Sequence, residues 1–97
     1  MSPAAKKLIL HTPLSRPEAL PAFVEEALQK GIRLIACIGE DAYGVEEDID
    51  DLIVGDGSDA RRFITTTAHM DESLNEVMAF ARGFGLDNDT RVEEIRL

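Results

Sequence analysis

His11 and His69 are the two imidazoles of this 97-residue chain, and both stand among groups that can share a proton or a ligand. His11 lies in LHTPLS, next to Thr12 and close to Ser15. His69 lies in TTTAHMDES, after Thr66 and Thr67 and before Asp71, Glu72 and Ser73. An imidazole, with an unperturbed pKa near ~6.5, suits general acid–base work at neutral pH. Imidazole together with carboxylate also suits zinc, iron or manganese, and two histidines with one carboxylate is a recognised set. The set here is His11, His69 and one of Glu40, Asp41 or Asp71. The same residues have structural duties to weigh against this chemistry. Asp71 or Ser73 can cap a helix, Ser73 and Glu76 have the S-x-x-E spacing of a capping box, and Glu72 meets a helix dipole favourably. No H-x-x-x-H spacing supports the metal set. No cofactor and no metal is therefore expected, with His11 and His69 as the ligands a metal would use.

Hydrophobic spacing defines the elements that must position these groups. KLILHTPL, from Lys7 to Leu14, begins apolar and stops at proline, so a first strand is expected there. Ser15 and Glu18 have capping-box spacing, and Leu20, Phe23, Val24, Ala27 and Leu28 recur on one helical face before Gly31. RLIACIG, Arg33 to Gly39, is apolar almost throughout, as in a strand covered on both faces. Val45, Ile49, Leu52 and Ile53 mark a second helix ending at Gly55. RFITTT, Arg62 to Thr67, is β-branched and aromatic, a third strand. Leu74, Val77, Met78, Ala81 and Phe84 mark a third helix closed by Gly83 or Gly85. LDNDT is a loop, and RVEEIRL is a charged strand suited to a sheet edge.

The order β-α-β-α-β-α-β predicts a single α/β domain over residues 1–97, a three-layer sandwich around a mainly parallel four-stranded sheet. The expected strand order is 2-1-3-4. Ligands of open α/β sheets bind outside the carboxyl ends of the strands. That rule assembles a candidate cleft from His11, Thr12, Glu40, Asp41, Tyr43, Thr67, His69 and Asp71. With the first strand between the second and third, His11 and His69 would converge. Ala68 to Glu72 is read as a surface loop with His69 at the mouth of the cleft.

Nineteen acids against ten Lys and Arg leave a net charge of −9. An acidic surface repels phosphate backbones, so no nucleic-acid partner is expected. No apolar run approaches the ~20 residues of a membrane span, and the apolar run after Lys6 and Lys7 is too short for a signal-peptide core. A single cysteine, Cys37, forms no internal disulfide and fits a reducing, cytoplasmic setting. Nine acids and no bases lie between Glu40 and Asp59. Glu47, Asp48, Asp50 and Asp51 fall on the helical side away from Val45 and Ile49, a solvated face that could also dock a basic protein. Asp48-x-Asp50 and Asp87-x-Asp89 both lack the glycine of a calcium loop. G-x-x-x-x-G-K-[ST], G-x-G-x-x-G and G-x-S-x-G are missing, and HTPLSRP holds no glycine to cradle phosphate. A receiver domain carries an acidic pair after its first strand and an aspartate ending its third. Those places hold His11-Thr12 and Thr66-Thr67.

TTTAHMDESLNEVMAFA resembles a motif of a family of small uncharacterised bacterial proteins, a domain of unknown function. There a strand ending in threonines leads to His, then D-E-S-L and a helix (T-T-T-x-H-x-D-E-S-L). The matching positions are Thr65, Thr66, Thr67, His69, Asp71, Glu72, Ser73 and Leu74, with looser similarity through CIGEDA. The resemblance implies no particular activity, but it draws attention to His69. The expectation is a non-catalytic binding or regulatory module acting through protein contacts, a homodimer included. The alternative is a small enzyme, or a metal- or small-ligand-binding protein, with its site at the strand ends.

Overall fold

A computed structural model describes residues 5–85 and 89–97. The stretch MSPA, and residues 86–88 with the Asp87 half of the second calcium template and part of the LDNDT loop, lie outside them. The elements run β1 (Lys7–Thr12), a 3-10 turn (Pro17–Ala19), α1 (Leu20–Gln29), β2 (Leu34–Gly39), α2 (Ala42–Val54), β3 (Thr65–His69), α3 (Leu74–Arg82) and β4 (Val92–Arg96).

All four strands are parallel, as the alternating pattern implies, but their order is β3-β2-β1-β4 and not 2-1-3-4. Composition explains the difference. Leu8, Ile9 and Leu10 of β1 and Leu34 to Ile38 of β2 are buried on both faces, so these two strands must be interior. The threonine-rich β3 and the charged β4 take the two edges. Handedness then places the helices. The chain steps β1 to β2 to β3 in one direction and returns past β1 to β4, so right-handed crossovers put α1 and α2 on one face and α3 on the other. Leu8, Leu10, Ile35 and Cys37 pack under α1 and α2, and Ile9, Leu34, Ala36 and Ile38 pack under Val77 and Ala81 of α3.

β3 starts three residues later than RFITTT suggests and runs on through His69. The cause is Arg62. Its guanidinium turns back to the end of α2, donating to the carbonyls of Ile53 at 2.8 Å and Leu52 at 2.9 Å, and also meets Glu25 of α1 at 2.9 Å. A segment tethered there cannot join the ladder until Thr65, whose N–H donates to Arg33 O at 3.1 Å. The Ser15–Glu18 capping box does not form. Arg16 holds the N-cap position without a side-chain bond, because the Ser15 and Arg16 amides both donate to Leu97 O, at 2.7 and 3.3 Å. Ser73 and Glu76 do form the predicted box, each accepting the other's backbone N–H at 3.2 Å.

Two further contacts seat the ends of the sheet. Gly39 (φ +119°) closes β2 against Thr12, and a Cβ there would lie 2.2 Å from the Thr12 carbonyl oxygen. Lys7 is only 1% exposed, and its ammonium donates to Asp89 O at 2.5 Å and Arg82 O at 3.4 Å, joining the end of α3 to the entrance of β4. Among the described residues no helix is long and apolar enough to cross a membrane.

Candidate functional site

Strand order decides which expected site residues can meet. His11 and His69 are both in register with Ile38 of β2, so both side chains lie on the α3 face, separated by a whole strand. Two strand spacings put their Cα atoms roughly 10 Å apart. His11 turns outward to β4, its Nε2–H donating to Glu94 at 2.8 Å. The expected convergence therefore fails, and among the described residues no three His, Cys, Asp or Glu side chains gather as a metal-ligand set. Thr12 is occupied structurally, its hydroxyl donating to Ile38 O at 2.9 Å. Glu40 and Asp41 are exposed in the turn before α2, where Asp41 takes the N-cap position without a side-chain bond.

His69 gathers a cluster of its own. It is the last residue of β3, not a loop residue, and its side chain is 11% exposed. Its Nδ1–H donates to the Glu72 carboxylate. In the neutral ring with that tautomer, Nε2 accepts from the Thr67 hydroxyl at 2.8 Å. The ring also lies against Phe80 of α3, centroids 5.0 Å apart. Carboxylate, imidazole and hydroxyl in this sequence have the connectivity of an activated nucleophile. They also tie β3 to the loop that opens α3, one residue before the cap at Ser73. A cleft of about 360 Å³ lies over the cluster, lined by Tyr43, Ala68, His69, Met70, Asp71 and Glu72. Thus Tyr43, His69 and Asp71 of the expected set meet. Thr67 reaches them through His69, and His11, Thr12, Glu40 and Asp41 do not.

A larger cleft, of about 780 Å³, lies at the other end of β3, where Ile32, Arg33, Arg61, Phe63 and Phe84 surround Thr65. The strand-end rule looks away from it. The sequence signal that could have found it is Phe63, a large apolar residue just before a threonine run, and it is 72% exposed.

The two clefts bracket the edge of β3. Thr65, Thr67 and His69 turn their backbone groups to β2, as the Thr65–Arg33 bond shows, so those of Thr66 and Ala68 point outward. Among the described residues no strand covers that side. On the α2 face, Thr66 Oγ1 donates to Asp50 at 2.5 Å, and Glu46 stands alongside. Burial raises the Glu46 carboxyl above its ordinary value and the Asp50 charge adds to this, with the Thr66 hydroxyl and His69 opposing. Glu47, Asp48, Asp50 and Asp51 are exposed along α2. Cys37, beneath α2, is buried, and desolvation, helped by Glu46 and Asp50, pushes its thiol up to about 12.

No curated protein and no solved structure matches the chain. The family model described as Domain of unknown function (DUF7684) matches residues 3–95, so the chain belongs to that family of domains.

Proposed function

We propose that this chain is a non-catalytic protein-binding module whose contact surface is the side of the molecule formed by α2 and β3. The observation that carries the reading is that exposed large apolar residues stand at both ends of β3, beside an acidic helix. Phe63 is 72%, Tyr43 62% and Met70 41% exposed, and Phe80 adds its ring next to His69. Apolar surface rimmed by polar groups favours contact with another protein. The partner is basic where it meets Glu47, Asp48, Asp50 and Asp51, and a cytoplasmic partner is the simplest choice for a chain with one buried thiol.

The test is capture of partners by the intact chain and by two variants, one with those four acids changed to lysine and one with Phe63→Ser. Partners lost from both variants, with salt-sensitive binding to the parent, support the reading. The same partners with unchanged salt dependence remove it.

The second reading, a small enzyme or ligand-binding protein, is favoured by the Glu72–His69–Thr67 connectivity under an open cleft. The amides of Ser73 and Glu76, which an oxyanion would seek at the start of α3, already serve the capping box. A thermal-shift screen of metals and nucleotides against metal-free protein separates the readings. A ligand at ~100 times its dissociation constant stabilises by about 2.7 kcal/mol.

A further inference from the structure

The backbone of β3 offers more than an apolar patch. We propose that its outer edge is a strand-addition site for an extended segment of a partner protein in which basic and apolar residues alternate. This rests on the reading of the chain as a protein-binding module and specifies how the partner is held.

Three observations carry it. First, Thr66 and Ala68 direct their N–H and C=O groups outward, and among the described residues no strand pairs with them. Exposed sheet edges are usually blunted by charge or proline, yet TTTAH has neither acid, lysine nor proline. Second, the two faces beside this edge differ. Thr66 and Ala68 lie on the α2 face, next to Asp50 and Glu46, whereas Thr65, Thr67 and His69 lie on the α3 face, where His69 meets Phe80. Side chains of an added strand alternate in the same way, so one set meets carboxylates and the other an aromatic surface. Third, the clefts at Phe63 and at Tyr43 and Met70 stand at the two ends of the edge. Five residues span roughly 17 Å, so about eight residues of partner reach from one cleft to the other.

Charge argues against a second copy as the occupant. An antiparallel pairing of two β3 edges about a two-fold axis normal to the sheet sets both α2 helices on the same face. Asp50 and Glu46 of one copy then confront those of the other, in chains that each carry −9. A basic partner removes that repulsion.

The probe is a fluorescent octapeptide alternating lysine and valine, with a glutamate–valine octapeptide as its control, titrated against the full chain. Thr66→Pro and Ala68→Pro each delete an outward N–H without touching the β2 ladder. The expected result is saturable binding of the lysine peptide, weakened by about tenfold or more in both proline variants and kept within about twofold in Thr66→Val. Amide exchange on the unmodified chain supplies a readout that does not depend on the variants folding: the Thr66 and Ala68 amides become protected when peptide is bound. Binding without that protection, and equal in folded proline variants, overturns strand addition while leaving a binding surface on α2. Equal binding of the glutamate peptide overturns the charge rule. A concentration-dependent dimer that Thr66→Pro disperses assigns the edge to a second copy and overturns the proposal. No peptide binding, together with partner capture unaffected by reversing the α2 charges, overturns both this inference and the reading on which it rests.

Discussion

The two edges of the sheet are entered in the same way and finished differently. Asp59-Ala60-Arg61 precedes β3 and Asp89-Thr90-Arg91 precedes β4. In each, the aspartate accepts from the arginine backbone N–H at 3.0 Å and from its Nε–H, at 3.1 Å before β3 and 2.9 Å before β4. Beyond these turns the edges diverge. β4 carries Glu93, Glu94 and Arg96, its Glu94 is tied to His11, and Leu97 O receives two amides from the β1 loop. It is charged and locked to its neighbours. β3 is uncharged, half-buried and open on its outer side. Charge at an exposed edge discourages pairing. The contrast is between a charged edge tied to its neighbour and an edge without acid, lysine or proline whose backbone groups point outward. In the crevice between β1 and β4, where such folds commonly hold ligands, the Ser15 and Arg16 amides are engaged by Leu97 O.

That contrast can be attacked through the anchors of each edge. Lys7→Met should have the largest effect, because it leaves the Asp89 and Arg82 carbonyls without their ammonium donor inside the fold. The expected loss is roughly 2–3 kcal/mol in urea unfolding, with faster amide exchange in β4 than in β3. Arg62→Ala releases the β3 lead-in from α2 and should destabilise by less than Lys7→Met, with the reverse exchange pattern. If both variants loosen both edges equally, the edges are not independently anchored. Ser73→Ala should cost about 1 kcal/mol through the lost cap of α3. His69→Ala should cost a similar ~1 kcal/mol, if its bonds to Glu72 and Thr67 only tie strand to helix. Complete loss of function with stability unchanged would instead identify a chemical role for His69.

The smallest effect concerns acid. Arg91 holds the Asp89 carboxyl well below the usual carboxylate range, helped by Lys7, and Arg61 does the same to Asp59 more weakly. Both are depressed acids, so their stabilisation is present above the ordinary carboxylate value of ~3.9 and is lost as pH falls through the lower native values. Asp89→Asn should therefore flatten the acid limb of stability more than Asp59→Asn, as read from urea midpoints between neutral pH and about pH 2. The Arg61 side chain is 93% exposed and that of Arg91 47%, consistent with a weaker hold at the β3 entrance.

Much of this architecture is legible in the residues. Alternating periodicities give three helices and four parallel strands, and Ser73 with Glu76 announces the start of α3. Strand order could also have been read: LIL and LIACI are too apolar for an edge, while TTTAH and VEEIR are not. Ranking strands by burial, instead of following chain order, leads to β3-β2-β1-β4. The position of β3 was hidden because RFI has the composition of a strand, and only the tether from Arg62 to the distant end of α2 excludes it. The site was partly legible. Tyr43, His69 and Asp71 do share a cleft, but the meeting of His11 with His69 depended on the wrong neighbour for β1. Lys7 gave no local signal, since two adjacent lysines near the start of a strand read as solvated charge.

The proposed strand addition makes β3 and β4 unequal as surfaces for another chain. Its most direct test is an amide chemical-shift map of the protein titrated with the lysine–valine octapeptide. The expected changes centre on Phe63 through Met70 and on Tyr43, Glu46, Asp50 and Phe80 beside the same edge, with Val92 to Arg96 unmoved. Changes centred on β4 and His11, or spread evenly over both edges, would contradict it.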